Sequence, residues 1–539
     1  MDTYDFIIVG AGSAGCVVAA RLTETGRHKV LLLEAGPSDR RFWIQTPIGY
    51  GMSFYDPDVN WMYRTEAEPG LDGRTIYQPR GKVLGGSSSI NAMVYSRGQA
   101  GDFEAWRALG NAGWGWPDVL AAYRRLEDHA LGADAWHGAG GPLHVSTIAA
   151  TAHPLTAAFI EAAAEAGLPR SADLNGGSIE GIGYYQLNTT VKGYRASAAR
   201  AYLWPAQRRP NLNVETQALA TKLLFEGRRA VGIVYERNGR TLEARAGREI
   251  ILSGGAINTP QLLQLSGVGP ADLLTSLGIA PVVDRRQVGA ELQDHLCYDH
   301  VYRSRRPSLN QVLGPLLPRL RAGVEYMLRS TGPLSLSVNQ GGGFVRTRPD
   351  LAEPNIQLYF SPLSYERAAP GVRALTKPDR FAGFTTSVSP CRPTSRGRVA
   401  IRSADPRQPP TIRANYLSTE HDTAELVEGA RLLRRLAAAP SFRALIETEE
   451  KPGPAVDDDA DLLADIRARS YSVFHPCGTC AMGPDPDRAV VDPRLRVHGL
   501  AGLRVIDASI FPTITSGNTN APSIMVGEKG AALVLEETA

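Results

Sequence analysis

The sequence predicts an α/β protein whose parallel-sheet domain is joined to an α+β second domain, an antiparallel sheet covered by helices. Three observations carry this. A strand–glycine–helix–strand unit fills about the first 35 residues. Short alternating segments punctuated by Pro and Gly run from about 306 to 468. The last segment, 503–535, then returns to strand, loop and helix. At 539 residues the chain is also too long for one ordinary core, so two joined domains are expected.

The run DFIIV at Asp5–Val9 is continuous and apolar, as a strand covered on both faces requires. Cys16–Leu22 reads as a helix packed on it and Lys29–Leu33 as the next strand, which makes a βαβ unit. Residues 40–107 are rich in Gly, Pro and aromatics with little periodicity, and so long an irregular stretch predicts a functional loop. Leu212–Phe225 and Ala230–Glu236 read as strands of a meander. Glu249–Ser253 is a third buried strand, followed by glycines and a helix from about Thr259. Asn355–Phe360 and Arg398–Ile401 alternate as strands of the second sheet. The acidic run Asp457–Asp461 predicts a helix cap rather than a metal site. The first domain is expected to comprise 1–155, 196–306 and 471–539, and the second, discontinuous domain 156–195 and 307–470.

A composition of 43% apolar and 21% charged residues is that of a globular protein, and a net charge of +3 with no basic block argues against nucleic acid or an anionic membrane as partner. Five cysteines make no disulfide framework, and the Cys477–Cys480 spacing has no second pair to complete a zinc site, so no metal is expected. No basic stretch or cleavage site precedes the first strand, and no apolar run reaches the roughly 18 residues that span a bilayer. The expectation is a cytoplasmic protein without a transmembrane segment; peripheral contact with the inner membrane stays open.

Gly10-Ala-Gly-Ser-Ala-Gly15 lies between the first strand and its helix. Gly10 permits the tight turn, Gly12 lets a pyrophosphate reach the backbone, and Gly15 lets the helix pack on the strand. The phosphates then meet the free N–H groups of the helix N-terminus. Glu34 ends the second strand 19 residues beyond Gly15, where a carboxylate bonds the hydroxyls of an adenosine ribose. This Rossmann-type fingerprint does not by itself separate NAD from FAD. Gly81-Lys-Val-Leu-Gly-Gly-Ser-Ser-Ser-Ile-Asn91 does: small residues beside hydroxyls suit a backbone pressed against a large planar ligand.

Gly81–Asn91 closely resembles the first signature of the glucose–methanol–choline (GMC) oxidoreductases, and Gly255–Gly269 resembles their second. Val288–His295, His475–Thr479 and Asp507–Pro522 are similar to three further blocks, in the family's order along nearly the whole chain. The resemblance implies a Rossmann-type FAD-binding domain, a sheet-based substrate domain, and oxidation of an alcohol. Carried over, Gly10, Gly12, Ser13, Ala14, Gly15, Glu34 and Ala35 would hold the adenosine half of FAD, and Ala220 would meet the adenine. Val83, Gly86, Asn91, Ala92 and Val94 would run along the pyrophosphate and flavin. Asp507, Ala508, Asn518, Thr519 and Asn520 would contact the ribityl chain and the flavin edge. Some members carry a histidine just before the equivalent of Asn91 and attach FAD covalently. Ile90 has no nucleophilic nitrogen, so FAD is expected to be non-covalent. Asn520–Pro522 reads as the cap and first turn of a helix whose N-terminus would favour the charge gained by a reduced flavin.

Alcohol oxidation needs a base for the hydroxyl proton, and a neutral imidazole suits neutral pH. His475 heads the family's H-P-x-G-T block and would be that base. Asn518 stands at the position of its partner, and Phe474 would line the substrate face of the flavin. His295 is expected to be structural, and His28, His153 and His421 lie in ordinary contexts. Choline-oxidising members carry a glutamate where this chain places Gln340, and an amide cannot neutralise a trimethylammonium group. The small-molecule substrate is therefore expected to be an uncharged primary aliphatic or aromatic alcohol, with electrons passed to a quinone or other carrier. The alternatives are an oxidase that uses O2 and makes hydrogen peroxide, a choline-type dehydrogenase, and a hydroxynitrile lyase that keeps FAD without using its redox chemistry.

Overall fold

The structure is a computed structural model that describes residues 3–366 and 377–538. Its first sheet grows outward from the opening strand. β1 (Thr3–Val9) runs parallel to β2 (Val30–Leu33), with Phe6 opposite Val30 and Val9 opposite Leu33, and β2 runs parallel to β3 (Leu212–Glu215). β4 (Ala218–Glu226), β5 (Arg229–Arg237) and β6 (Arg240–Leu252) form an antiparallel meander; of the Leu212–Phe225 run expected in it, Leu212–Glu215 is instead the parallel strand on β2. The end of β6 closes back on β1, Val9 facing Leu252 in parallel, which is the buried strand read at Glu249–Ser253. The order is β3-β2-β1-β6-β5-β4, so the direction of winding reverses at β1. A crevice outside the carboxyl ends of strands at such a switch point is where α/β sheets bind ligands.

α1 (Ser13–Leu22) follows β1 and α2 (Gly255–Leu265) follows β6. Each begins a few residues before its apolar periodicity does, because its first turn is built from small residues that carry no hydrophobic signal.

The second sheet has the order β8-β9-β10-β7-β11, all antiparallel, from β7 (Leu296–Ser304), β8 (Gly341–Val345), β9 (Ile356–Ser361), β10 (Gly383–Pro390) and β11 (Ile446–Lys451). The connection from β7 to β8 carries α3 (Leu316–Arg329). α4 (Glu420–Ala438) covers the sheet so closely that a Cβ on Gly429 would fall 2.4 Å from a methyl of Val388. Phe159 of the Pro154–Glu165 helix stacks on Phe360 at 4.9 Å.

Two expectations change here. β7 sits inside the second sheet, so the first domain's middle segment ends before 296 rather than at 306. The strand was hidden because it directly follows the Val288–His295 block. Arg398–Ala400 pairs with Thr411–Arg413 in a separate two-stranded ribbon, not with the second sheet. The acidic cap is as read: Asp458 accepts the Asp461 N–H at 2.8 Å at the start of the Asp459–Arg469 helix.

The chain then returns to the first sheet. β12 (Leu503–Val505) joins β6 in parallel, and α5 (Asn520–Thr538) lies along α1. Gly527 permits that contact, since a Cβ there would meet the Ala14 carbonyl oxygen at 2.9 Å.

A buried polar network braces the loops above the first sheet. Arg97 pairs with Glu127, and His137 bonds Glu127 at 3.3 Å and Asp173 at 2.8 Å. Burial alone would lower the His137 pKa, but the two carboxylates outweigh it and hold it up at about 9. A folded pKa raised above the usual value of about 6.5 adds stability below pH 6.5 that is lost as pH rises through the folded value. The stability difference between the wild type and His137→Gln, measured by urea unfolding, is expected to shrink between pH 7 and the region above pH 9.

Candidate active site

One long cavity starts at the carboxyl ends of β1, β2 and β6 and runs to the second sheet. At its first end the three glycines divide their work as the motif requires. Gly10 has φ +98°, and a Cβ there would fall 2.5 Å from the Ser253 carbonyl oxygen. A Cβ on Gly15 would fall 2.0 Å from the Gly10 carbonyl oxygen, so Gly15 is spent on packing α1 against β1 and does not line the cavity. Gly12 is the open one: its nearest neighbour would be 3.7 Å away, and it lines the cavity with Ser13 and Ala14. No side chain caps α1, so its N-terminal amides remain an anion site.

Glu34 lines the same end beside Ala35 and Ala220. Its carboxylate accepts the Ala11 N–H at 3.0 Å and the Gly36 N–H at 2.9 Å. Burial pushes it up to about 7 against the pull of these two amides. A buried carboxylate with spare lone pairs facing a cavity is a receptor for hydroxyl groups.

The Gly81–Asn91 stretch folds face to face with the first glycines. A Cβ on Gly86 would fall 2.7 Å from the Gly12 Cα, and the Gly85 N–H bonds the Ala11 carbonyl at 2.7 Å. Asn91 is fixed by the buried Arg195 guanidinium, which donates to its carbonyl at 2.7 Å and its side-chain oxygen at 2.8 Å. Asn91, Ala92 and Val94 line the cavity, whereas Val83 packs with Ile44, Val59 and Ile90 and does not. Val83 is therefore a packing residue, a correction to the expected cofactor contact.

From the other side come Asp507, Ala508, Asn518, Thr519 and Asn520, all lining the cavity. Asp507 ties the turn into α2, accepting the Gly255 N–H at 2.8 Å and the Thr259 hydroxyl at 2.6 Å. α5 begins at Asn520, and the preceding Thr519 carbonyl accepts the Ser523 N–H, so the helix entry is one residue earlier than read. The Ser13 hydroxyl bonds Asn520 at 2.9 Å, which brings the N-termini of α1 and α5 to one wall.

His475 and Asn518 meet. The Asn518 amide donates to His475 Nε2 at 3.1 Å, and its own oxygen accepts from Gln357 at 3.2 Å. His475 Nδ1 lies 3.0 Å from His295 Nδ1, and His295 Nε2 lies 2.9 Å from the Cys391 carbonyl. A carbonyl can only accept, so His295 Nε2 carries a proton and, in the neutral ring, its Nδ1 accepts. His475 must then donate from Nδ1, which leaves the Nε2 lone pair turned toward Asn518 and the cavity. Burial, reinforced by His295 and Arg80, holds the His475 pKa well below the usual histidine value, so the ring stays neutral with its lone pair free to accept a proton.

The backbone of His475 is fixed as firmly. Its N–H donates to Asp294 Oδ1 at 2.8 Å, and Asp294 Oδ2 accepts from Gln78, Tyr416 and Ser472. The neighbouring Phe474 has φ +69°, and its carbonyl accepts from Arg80 at 2.7 Å.

His295, expected to be structural, thus bonds the candidate base directly. Arg80 and the rings of Tyr50, Phe54, Tyr55, Trp61 and Tyr365 were not singled out in the sequence either, yet they line the cavity with Phe474. Most come from the irregular 40–107 stretch, whose length was the one signal for them. Gln340 is the second correction. Its side chain is buried away from the cavity, accepting the His153 N–H at 2.7 Å, while Val338 and Asn339 line the wall instead. Among the described residues lining the cavity the carboxylates are Glu34, at the glycine-rich end, and Asp507, which is held by the Gly255 N–H and the Thr259 hydroxyl; none accompanies the aromatic wall. No group of three metal-ligating side chains occurs among the described residues, and none of the described helices is long and apolar enough to cross a membrane.

Two models described as GMC oxidoreductase match residues 4–297 and 393–527. Human mitochondrial choline dehydrogenase is 44% identical over 545 residues, covering 99% of this chain and 90% of that protein. An "alcohol dehydrogenase [acceptor]" from Pseudomonas putida is 41% identical over 538 residues, covering 99% and 96%. The crystal structure of pyridoxine 4-oxidase from Mesorbium loti superposes with a TM-score of 0.88 at 32% identity, covering 99% of each chain.

Proposed function

This chain belongs to the GMC oxidoreductase family, and from that membership and the site we propose that it oxidises an uncharged primary alcohol to an aldehyde with His475 as the base. It is an FAD-dependent oxidoreductase acting on CH–OH groups. The cavity suits FAD along its whole length: Glu34 for the ribose hydroxyls, Gly12 and the α1 N-terminus for the pyrophosphate, and the Asn91–Val94 and Asp507–Asn520 walls for the ring. With Ile90 where a linking histidine would stand, the cofactor is held without a covalent bond.

The observation that carries the reading is the His475 Nε2 lone pair held against the Asn518 amide at 3.1 Å. An alcohol oxygen entering between the two would donate its proton to Nε2 and accept from the Asn518 N–H. Bound FAD supplies the hydride acceptor, N5 of the flavin. His295 keeps the His475 tautomer correct, and the N-terminus of α5 offsets negative charge gained at the ring. Phe474 and the aromatic wall exclude water and bury the rest of the substrate. Electrons then pass to a carrier other than oxygen.

His295→Leu is expected to retain FAD and slow flavin reduction about tenfold or more, because the Nδ1 proton of His475 loses its acceptor. His295→Gln, whose carbonyl can still accept, is expected to recover most of that rate.

A second reading, a choline-type dehydrogenase, is favoured by the choline dehydrogenases among the relatives and by the aromatic wall, which could hold a trimethylammonium group. The absence of a carboxylate at that end, among the described residues, supports the uncharged substrate. Anaerobic mixing of the FAD-loaded protein with benzyl alcohol, 1-hexanol and choline, followed by flavin absorbance, separates the two. Faster bleaching by the uncharged alcohols is expected. Bleaching by choline alone would establish the second reading, and bleaching by none would overturn both substrate assignments. Peroxide yield against dye reduction on the same preparation then distinguishes oxidase from dehydrogenase.

A further inference from the structure

We propose that the exposed face of α3 seats this protein on an anionic lipid surface. α3 is amphipathic in an inverted sense. Its inner side is anchored by the buried Ala322 and Tyr326, the Tyr326 hydroxyl donating to the Gly193 carbonyl at 3.2 Å. Its outer side is apolar as well: Leu316, Leu317, Leu320, Val324, Met327 and Leu328 are all exposed, Leu317 at 77% and Leu328 at 78%. At about 100° per residue these six positions fall within a stripe roughly 120° wide, pointing away from the buried side. Single exposed apolar residues are ordinary; six on one face of one helix are not.

The charges on the helix indicate the occupant. Arg321 borders the stripe about 20° from its edge, Arg319 and Glu325 each lie about 60° beyond an edge, and Arg329 turns toward the buried side. Arginines bordering an apolar face that lies flat against its partner suit anionic headgroups above acyl chains. A two-fold contact with a second copy would offer the arginines of this helix a single acidic residue on it, Glu325.

The neighbouring surface continues the theme. α3 packs on Pro333–Ser335, which packs on Pro47–Gly49, which adjoins the Phe42–Gln45 helix. Phe42 is 55% exposed there and Trp43 41%, the aromatic type that anchors at a membrane interface. The segment just before α3 joins this face to the cavity. Leu309 and Leu313 pack with Tyr50, Val338 and Tyr365, which line the cavity wall. The inference stands apart from the choice of alcohol and acceptor.

The test is co-sedimentation of the full-length, FAD-loaded protein with phosphatidylcholine–phosphatidylglycerol vesicles and with pure phosphatidylcholine vesicles. Binding to the anionic vesicles is expected, weaker at high salt and weaker on the neutral ones. The triple variant Leu317→Glu/Leu320→Glu/Leu328→Glu is expected to lose about tenfold or more of that partitioning while keeping its melting temperature and its dye-linked alcohol oxidation. Failure of the wild type to bind, or equal binding by the triple variant, would overturn the proposal. So would sedimentation showing a dimer that the triple variant disperses without any vesicle binding, which would make a second copy the occupant.

Discussion

Gly15→Ala is expected to destabilise the folded protein by about 3 kcal/mol, the upper part of the range for overpacking. The added methyl would fall 2.0 Å from the Gly10 carbonyl oxygen and 3.1 Å from the Ser253 Cβ. The first of these is backbone at the end of β1 and cannot rotate aside. α1 must therefore move away from the sheet, and α5, packed along α1, must move with it. Gly12→Ala, three residues earlier, should behave differently. Its φ is −78° and its methyl would meet nothing closer than 3.7 Å, so the fold should survive. The methyl would stand where a pyrophosphate approaches, and FAD affinity is expected to fall about tenfold or more, the value of a displaced bond to a charged group. Melting curves with and without added FAD distinguish the two outcomes.

His475→Ala is expected to leave FAD bound and to slow anaerobic flavin reduction by a factor of about 100 or more. The imidazole is the group whose lone pair faces Asn518, and its backbone position depends on Asp294 rather than on the ring. Its removal should therefore take away the base without dismantling the cavity. Wild-type reduction rates in the variant would mean that another group takes the proton. Stopped-flow absorbance on matched preparations measures this directly.

The glycine roles were legible because they are local. A tight turn, an open approach and a helix contact follow from spacing within one βαβ unit, and the structure places Gly10, Gly12 and Gly15 in those three situations. Glu34 was legible for the same reason, at the end of the second strand. His475 and Asn518 could be chosen by motif, but 43 residues separate them and only the fold brings them to 3.1 Å. What escaped depends on side-chain direction. Gln340 stands next to a cavity residue yet turns inward to the His153 amide, since neighbours entering a strand face opposite ways. Val83 lies inside a cofactor-facing stretch but points into an apolar cluster. His295 bonds a residue 180 positions away, and nothing in its own surroundings signals that partner. The aromatic wall comes from a segment without periodicity, where sequence can announce a function but not an orientation.

The central claim concerns where one nitrogen points, and a crystal structure of the FAD-loaded protein with a bound alcohol analogue measures that. The account predicts His475 Nε2 within about 2.6–3.2 Å of the analogue's oxygen, the Asn518 amide on the same oxygen, and the flavin ring beneath them. An imidazole turned from the analogue, or a flavin lying outside the cavity, would contradict it.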